Sequence, residues 1–332
     1  MSIYHDVLRY FLGTIALGAV FVQPLQAATD VRLSLVSWVG YAPLYVADAQ
    51  KLFAPFHANV KVTSLSDNAL LVEALKTGKA DAATLTYDQV ISAISEGLAI
   101  KVILPIDYSN GGDAIVAPKT ISNIADLKGK KVGFNFLAPQ DILLTYALQK
   151  NGLTQKDIIA DNIPADSIQG ILESAKIDAG VTYEPNVSTI VGLGGGQKFH
   201  VIFSSKEAPG LITDVLVFTQ AFIDKNPETV KGVVQGYVEG LKFLKEKPEE
   251  SQKIIATALG VTKAEVPAQL ATVYIPNVEE MGAVFQPSED MRSLFASGKL
   301  ISELLLSKNA IKMIPKTEET FDASFIAALS AK

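Results

Sequence analysis

Ser37-Trp38-Val39-Gly40-Tyr41-Ala42-Pro43-Leu44-Tyr45-Val46-Ala47 lies between an alternating segment and a helical one. Before it, Val31-Arg32-Leu33-Ser34-Leu35-Val36 alternates as a β-strand does. After it, residues 44–53 carry apolar side chains at Leu44, Val46, Ala47, Ala49 and Leu52, which reads as a helix. The turn between them holds the chain's only tryptophan. In α/β proteins, strand–loop–helix junctions of this kind build ligand sites at the carboxyl ends of strands. Two readings of Trp38 and Tyr41 are open here: core packing, or the wall of a site.

The same alternation continues outward. Strand patterns cover residues 58–63, 80–84, 100–106, 113–117, 131–134, 157–163, 179–182, 201–204 and 215–219. Helical patterns cover 70–77, 87–96, 142–150 and 168–175, several of them closed by glycine. From residue 221 the pattern is almost purely helical: 227–245, 248–259, 263–273, 289–297 and 301–306. Strands alternating with helices predict mainly parallel sheets with covered faces. Two such runs, about 30–117 and 118–214, are joined by strand patterns at 100–106, 113–117 and 215–219. Two lobes linked by crossing strands make a hinge with a cleft between them.

The chain has 332 residues, room for two ordinary domains. It is 48% hydrophobic and 19% charged, the composition of a globular protein. The net charge of −6 with no basic run argues against nucleic acid, whose phosphates need a positive stripe. Zero cysteines exclude disulfides, thiolate metal sites, a cysteine nucleophile and a lipid-anchored N-terminal cysteine. His5, His57 and His200 show no metal-ligand spacing, so neither metal nor cofactor is expected. At the N-terminus, Arg9, the apolar run of residues 11–22 and Pro24-Leu25-Gln26-Ala27 have the order of a signal peptide. That run is shorter than the about 20 residues a membrane span needs. Cleavage after Ala27 and an exported, periplasmic protein are expected.

Five stretches carry a family likeness. They are Trp38-Val39-Gly40-Tyr41-Ala42-Pro43-Leu44-Tyr45; Ala74-Leu75-Lys76-Thr77-Gly78-Lys79-Ala80-Asp81-Ala82-Ala83; Asp126-Leu127-Lys128-Gly129-Lys130-Lys131-Val132-Gly133; Asp178-Ala179-Gly180-Val181-Thr182-Tyr183-Glu184-Pro185; and Val217-Phe218-Thr219 with Asn226-Pro227-Glu228. In this order the chain resembles the periplasmic substrate-binding proteins of ABC importers. The group is the one that handles nitrate, taurine, alkanesulfonates and thiamine-pyrimidine precursors. The resemblance implies a type II periplasmic-binding-protein fold: a two-lobed α/β molecule closing around a small molecule. It implies a monomer that delivers its ligand to a membrane permease, without catalysis. Lobe 1 is expected at 28–117 plus 215–332, and lobe 2 at 118–214.

The family places ligand contacts in strand-end loops. Trp38, Thr86, Asn135 and Glu184 are carried over on that ground. Tyr41, Tyr87, Asp107, Ser109, Tyr183 and Asp214 lie in or beside the same loops and complete the candidate set. Asp88 reads as a helix cap. Gly192-Leu193-Gly194-Gly195-Gly196 is not a dinucleotide fingerprint and reads as a turn.

Arginine is scarce: Arg9, Arg32 and Arg292 only. Neither Arg32 nor Arg292 falls in a strand-end loop, so the bidentate clamp of a sulfonate or carboxylate is missing there. Asp107, Asp113, Glu184 and Asp214 beside Trp38, Tyr41, Tyr87 and Tyr183 suit an N–H-rich, planar or cationic ligand. A pyrimidine-like ring or an amidine is therefore expected. Helix N-termini near Gln140 and Tyr87 favour anions and keep taurine, a sulfonate or nitrate as the alternative. A pyrimidine-precursor enzyme on the same fold is the other class, and the absence of cysteine weighs against it. Trp38→Ala is expected to weaken binding far more than stability.

Overall fold

A computed structural model describes residues 28–330; the signal peptide expected at 1–27 lies outside them. Eleven strands run in chain order among these residues. They are β1 (Thr29–Leu35), β2 (Ala58–Ser64), β3 (Ala82–Thr86), β4 (Ile100–Ser109), β5 (Asp113–Pro118), β6 (Lys131–Phe134), β7 (Ile159–Asn162), β8 (Ala179–Tyr183), β9 (Phe199–Ser204), β10 (Thr213–Thr219) and β11 (Val273–Tyr274).

Two sheets result. The first has the order β11-β4-β10-β3-β1-β2, the second β7-β6-β8-β5-β9. Each has a parallel core, β2-β1-β3 and β7-β6-β8, as the strand–helix alternation predicts. Each then takes in antiparallel strands, so both sheets are mixed. β10 runs antiparallel between β3 and β4, and β5 antiparallel between β8 and β9. The cause is the crossing itself: chain that leaves one lobe and returns meets each parallel set from the opposite direction. The expected boundary after residue 117 cuts through β5. Its pairing with β8 and β9 sets residues 113–118 in the second sheet.

Buried aliphatic rows hold each sheet to its helices. Val31, Leu33, Leu85, Val102, Ile103 and Leu104 have essentially no exposed surface. Full burial of such a side chain contributes about 1.5–3 kcal/mol. The helix Pro227–Glu246 packs on the helix Ala42–Ala49, and its Tyr237 hydroxyl donates to the Ile106 carbonyl at 3.2 Å. This fixes the Trp38–Tyr41 loop against β4.

Two helical expectations change. Residues 263–273 form only the short helix Val266–Leu270, and Val273–Tyr274 becomes an edge strand on β4. The separate patterns at 289–297 and 301–306 are one helix, Leu294–Ser307, capped by Ser293. Gly298 falls between those two sequence patterns. Here it lets the Tyr87 ring pack against the helix, since a Cβ would stand 2.8 Å from Tyr87 Cε1.

Candidate functional site

Four strand–helix junctions meet at the carboxyl ends of the parallel strands. β1 leads to the helix Ala42–Ala49 and β3 to the helix Tyr87–Ser95. Across the cleft, β6 leads to the helix Pro139–Lys150 and β8 to the helix Asn186–Gly192. The gap between the lobes is bordered by Trp38, Tyr41 and Thr86 on one side, by Asp113, Gln140 and Tyr183 on the other, and by Asp214 at the return crossing. Its cavity volume is about 30 Å³, room for a few waters and well below the about 300 Å³ at which ligand pockets begin. A larger molecule enters only when the lobes part.

Strand register explains the charge in this gap. Asp214 is the partner of Thr86 on β3 and of Asp107 on β4, so the three stand in one row across three strands. The register shifts between Asp214 and Val215, where Ile106 is the extra residue of a bulge. Pro105, which has no N–H to donate, is accommodated beside that irregularity. Two carboxylates directly opposite on adjacent strands repel, and both are buried, Asp107 at 1% and Asp214 at 3% exposure. Asp113, also buried, pairs with Tyr183 on β8 and brings a third carboxylate from the other lobe.

The aromatic groups hold this row. The Trp38 indole N–H donates to Asp107 Oδ1 at 3.1 Å, and the Tyr41 hydroxyl donates to Asp214 Oδ1 at 2.6 Å. Trp38 meets Tyr183 of the opposite lobe edge to face, with ring centres 6.0 Å apart. Gly40 is required by the Asp107 carboxylate, which a Cβ there would approach to 2.1 Å. Gly112 is likewise required by the indole, with Trp38 Cη2 at 2.6 Å from its would-be Cβ. Gly40→Ala should therefore displace Asp107 and cost about 1–3 kcal/mol of stability. A urea titration showing an unchanged midpoint would remove this explanation of the glycine.

Burial raises every carboxyl in the group. Asp107 is pushed up to about 8, by desolvation first and by Asp113 as well, against the Trp38 hydrogen bond. Asp113 is pushed up to about 7, by desolvation and then by the charges of Asp88 and Glu184, against hydrogen bonds from Ser109 and Gln140. Asp88, in the first turn of its helix, is pushed up to about 6 by burial. Asp214 lies well above the usual carboxylate range through burial and the repulsion of Asp107, Asp113 and Asp88. Burial also raises Glu184. Among the described residues, no lysine or arginine borders the gap. Among buried polar side-chain atoms without a hydrogen-bond partner are Asp107 Oδ2, Gln140 Oε1 and Thr84 Oγ. Two of these three are pure acceptors. The site thus offers lone pairs, and carboxyls that a bound cation would draw into their charged form. Among the described residues, no three acidic or histidine side chains are grouped to hold a metal ion.

The sequence-derived candidates divide. Trp38, Tyr41, Thr86, Asp107, Tyr183 and Asp214 come together as described. Asn135 stands at the rim with Asn68, Asp166 and Tyr183. Glu184 is buried, but its carboxylate accepts from the Ser188 backbone N–H and hydroxyl, which ties it to its own helix. Ser109 bonds to Ser205 at 2.7 Å and accepts the Asp113 N–H, a clamp of the two crossings. Tyr87 turns away into lobe 1, bonding to Thr320 at 2.9 Å. Trp38 is only 5% exposed and part of the core cluster. Its truncation to alanine opens a cavity costing about 3–5 kcal/mol, so the expected contrast between binding and stability does not suit that variant. Trp38→Phe, which keeps a ring and loses the N–H, isolates the contact.

Sequence reading placed Gln140 at a helix N-terminus without making it a candidate, and passed over Lys308 and Asp141. Gln140 opens the helix Pro139–Lys150 and borders the gap; its place just after Pro139 at a helix start was the available signal. Lys308 and Asp141 form a nearly buried ion pair, 16% and 3% exposed, between the helix Leu294–Ser307 of lobe 1 and the helix Pro139–Lys150 of lobe 2. Asp141 also accepts the Leu137 N–H at 3.0 Å and so shapes the loop before Gln140. Lost on opening, this pair should act as a latch. Lys308→Met should speed ligand release about tenfold or more, because it leaves a buried charge unpaired. Stopped-flow fluorescence of Trp38 reads that rate, and an unchanged rate would sink the latch.

Comparison with known proteins follows this geometry. The model of the family described as NMT1/THI5 like matches residues 38–251. A taurine-binding periplasmic protein of Escherichia coli is 26% identical over 252 residues, 72% of this chain and 77% of that protein. The riboflavin-binding protein RibY of Chloroflexus aurantiacus is 23% identical over 234 residues, 69% of this chain and 66% of that one. In three dimensions, the periplasmic aliphatic sulphonate binding protein of Escherichia coli superposes with a TM-score of 0.72 at 16% identity. That match covers 88% of this chain and 97% of the other. The fold is that of the periplasmic binding proteins. The chain belongs to the NMT1/THI5-like family.

Proposed function

We propose that this member of the NMT1/THI5-like family is the solute-binding component of an ABC importer for a small nitrogenous cation, an amidine or an aminopyrimidine. The carrying observation is the row of buried carboxylates, Asp214 and Asp113 bordering the gap and Asp107 behind Asp214 and Trp38, with no lysine or arginine among the described residues at the gap. A buried charge without a partner is costly, and a cationic ligand supplies the partner. Its N–H groups also satisfy the open acceptor Gln140 Oε1. Charge spread over a planar N–H framework fits carboxylates that stand on separate strands. Trp38, Tyr41 and Tyr183 supply flat faces for it. Binding both lobes at once stabilises the closed form. In this reading the protein is periplasmic, monomeric, hands its ligand to a membrane permease and performs no turnover.

A zwitterion such as taurine is the second reading. The helix Tyr87–Ser95 and the helix Pro139–Lys150 point their N-termini at the gap and favour an anionic end, while the carboxylates take the ammonium. Nitrate and plain alkanesulfonates bring no cation and fit neither. Trp38, the only tryptophan, reports occupancy by its fluorescence. Benzamidine and 4-aminopyrimidine should change it saturably, and methanesulfonate and nitrate should not. A response to the anions alone would reject both readings.

A further inference from the structure

Asp107 borders a second cavity. Between β4, β11 and the helix Val278–Val284, a cup of about 340 Å³ leads down to it. The floor is buried: Pro105, Asp107, Thr213 and Pro276. At the rim, the rings of Tyr108 and Tyr274 stack with centres 4.9 Å apart, and they border the same space. The charges around it are largely committed. Arg292 is held on Asp290 through Nε at 2.9 and 3.0 Å and through Nη2. Glu280 accepts the Tyr274 hydroxyl at 2.5 Å. Asp107 differs, because its Oδ2 is buried and has no hydrogen-bond partner.

We propose that this cup is a second binding site, for an amine or amidine carrying an apolar or aromatic body. The body packs on Tyr108, Tyr274 and the two prolines; the cationic head reaches down to Asp107. The same carboxylate takes the Trp38 N–H from the other side. Occupancy of the cup therefore acts on the cleft through one shared group. An anion is disfavoured, because the guanidinium at the rim already has its carboxylate and the floor carries negative charge.

The test uses phenethylamine as the probe on the whole protein, by calorimetry and saturation-transfer NMR. Wild type should bind it. Ala283→Trp, an exposed wall position, should weaken binding about tenfold or more by filling the space, and Tyr274→Ala, which removes the stacking face, should weaken it several-fold. Gln140→Ala, in the cleft, should leave phenethylamine binding intact while weakening benzamidine. Absence of binding in wild type overturns the proposal. So does binding that Ala283→Trp leaves unchanged or Gln140→Ala abolishes, since the probe then sits in the cleft. The cleft reading stands or falls separately, on benzamidine binding to Ala283→Trp.

Discussion

Asp107→Asn should cut benzamidine affinity about 100-fold, because a charged partner of a buried cation is worth about 2–5 kcal/mol. The same substitution should stabilise the ligand-free protein. Asp107 and Asp214 stand opposite on β4 and β10, both buried, and Asp107 raises the proton affinity of Asp214. An amide at position 107 keeps the acceptor for the Trp38 N–H and relieves the repulsion. Relief of about 1 kcal/mol raises the melting temperature about 2–4 °C in a protein of this size class. Loss of binding joined to gain of stability is the mark of a group kept for its ligand. A structural carboxylate would lose stability instead. An anion-binding cleft would respond with the opposite sign in affinity: taurine or methanesulfonate would bind Asp107→Asn more tightly than wild type. Thermal melts and calorimetry on the two proteins decide among these outcomes, and unchanged benzamidine affinity would discard Asp107 as a ligand group.

Acidity should act in two opposite ways on the same protein. Asp88, Asp113 and Asp107 are raised to about 6, 7 and 8 in the folded chain, against about 3.9 for an unperturbed aspartate. Between those limits the folded state holds more protons than the unfolded state. Stability from these groups therefore falls as pH rises from about 4 to about 8. Cation binding needs the charged carboxylates, so affinity for benzamidine should rise over the upper part of that window, about tenfold or more between pH 6 and pH 8.5. Binding near neutral pH should also release protons, seen as a calorimetric enthalpy that changes with the ionisation enthalpy of the buffer. Affinity that is flat across the window, with no proton release, would mean that the row does not touch the ligand.

Much of the architecture was legible because period and punctuation agree. The alternation from Val31 to Val36, the glycines that end helices and the apolar core strands each follow from local rules. The loops after β1, β3, β6 and β8 were legible for the same reason. Facing was not. Tyr87 opens the helix after β3, one residue beyond Thr86, yet a helix turns each neighbour by about 100°. Thr86 faces the gap, and Tyr87 faces Gly298 and Thr320. The pairing of Asp107 with Asp214 depends on register across 107 positions of sequence and on a bulge at Ile106. No local pattern encodes it. Lys308 and Asp141 meet only when the lobes come together, so neither residue's neighbourhood announces the contact. The patterns at 289–297 and 301–306 were legible only as separate pieces, and Gly298, between them, gives clearance to a tyrosine ring within one helix.

Native mass spectrometry of the protein, purified without unfolding from cells that export it, asks what the cleft captures. The bound species should be a small nitrogen-rich compound that carries positive charge, retained by wild type and lost from Asp107→Asn. Nitrate or a plain sulfonate on wild type, kept or gained by Asp107→Asn, would contradict a cleft built for cations.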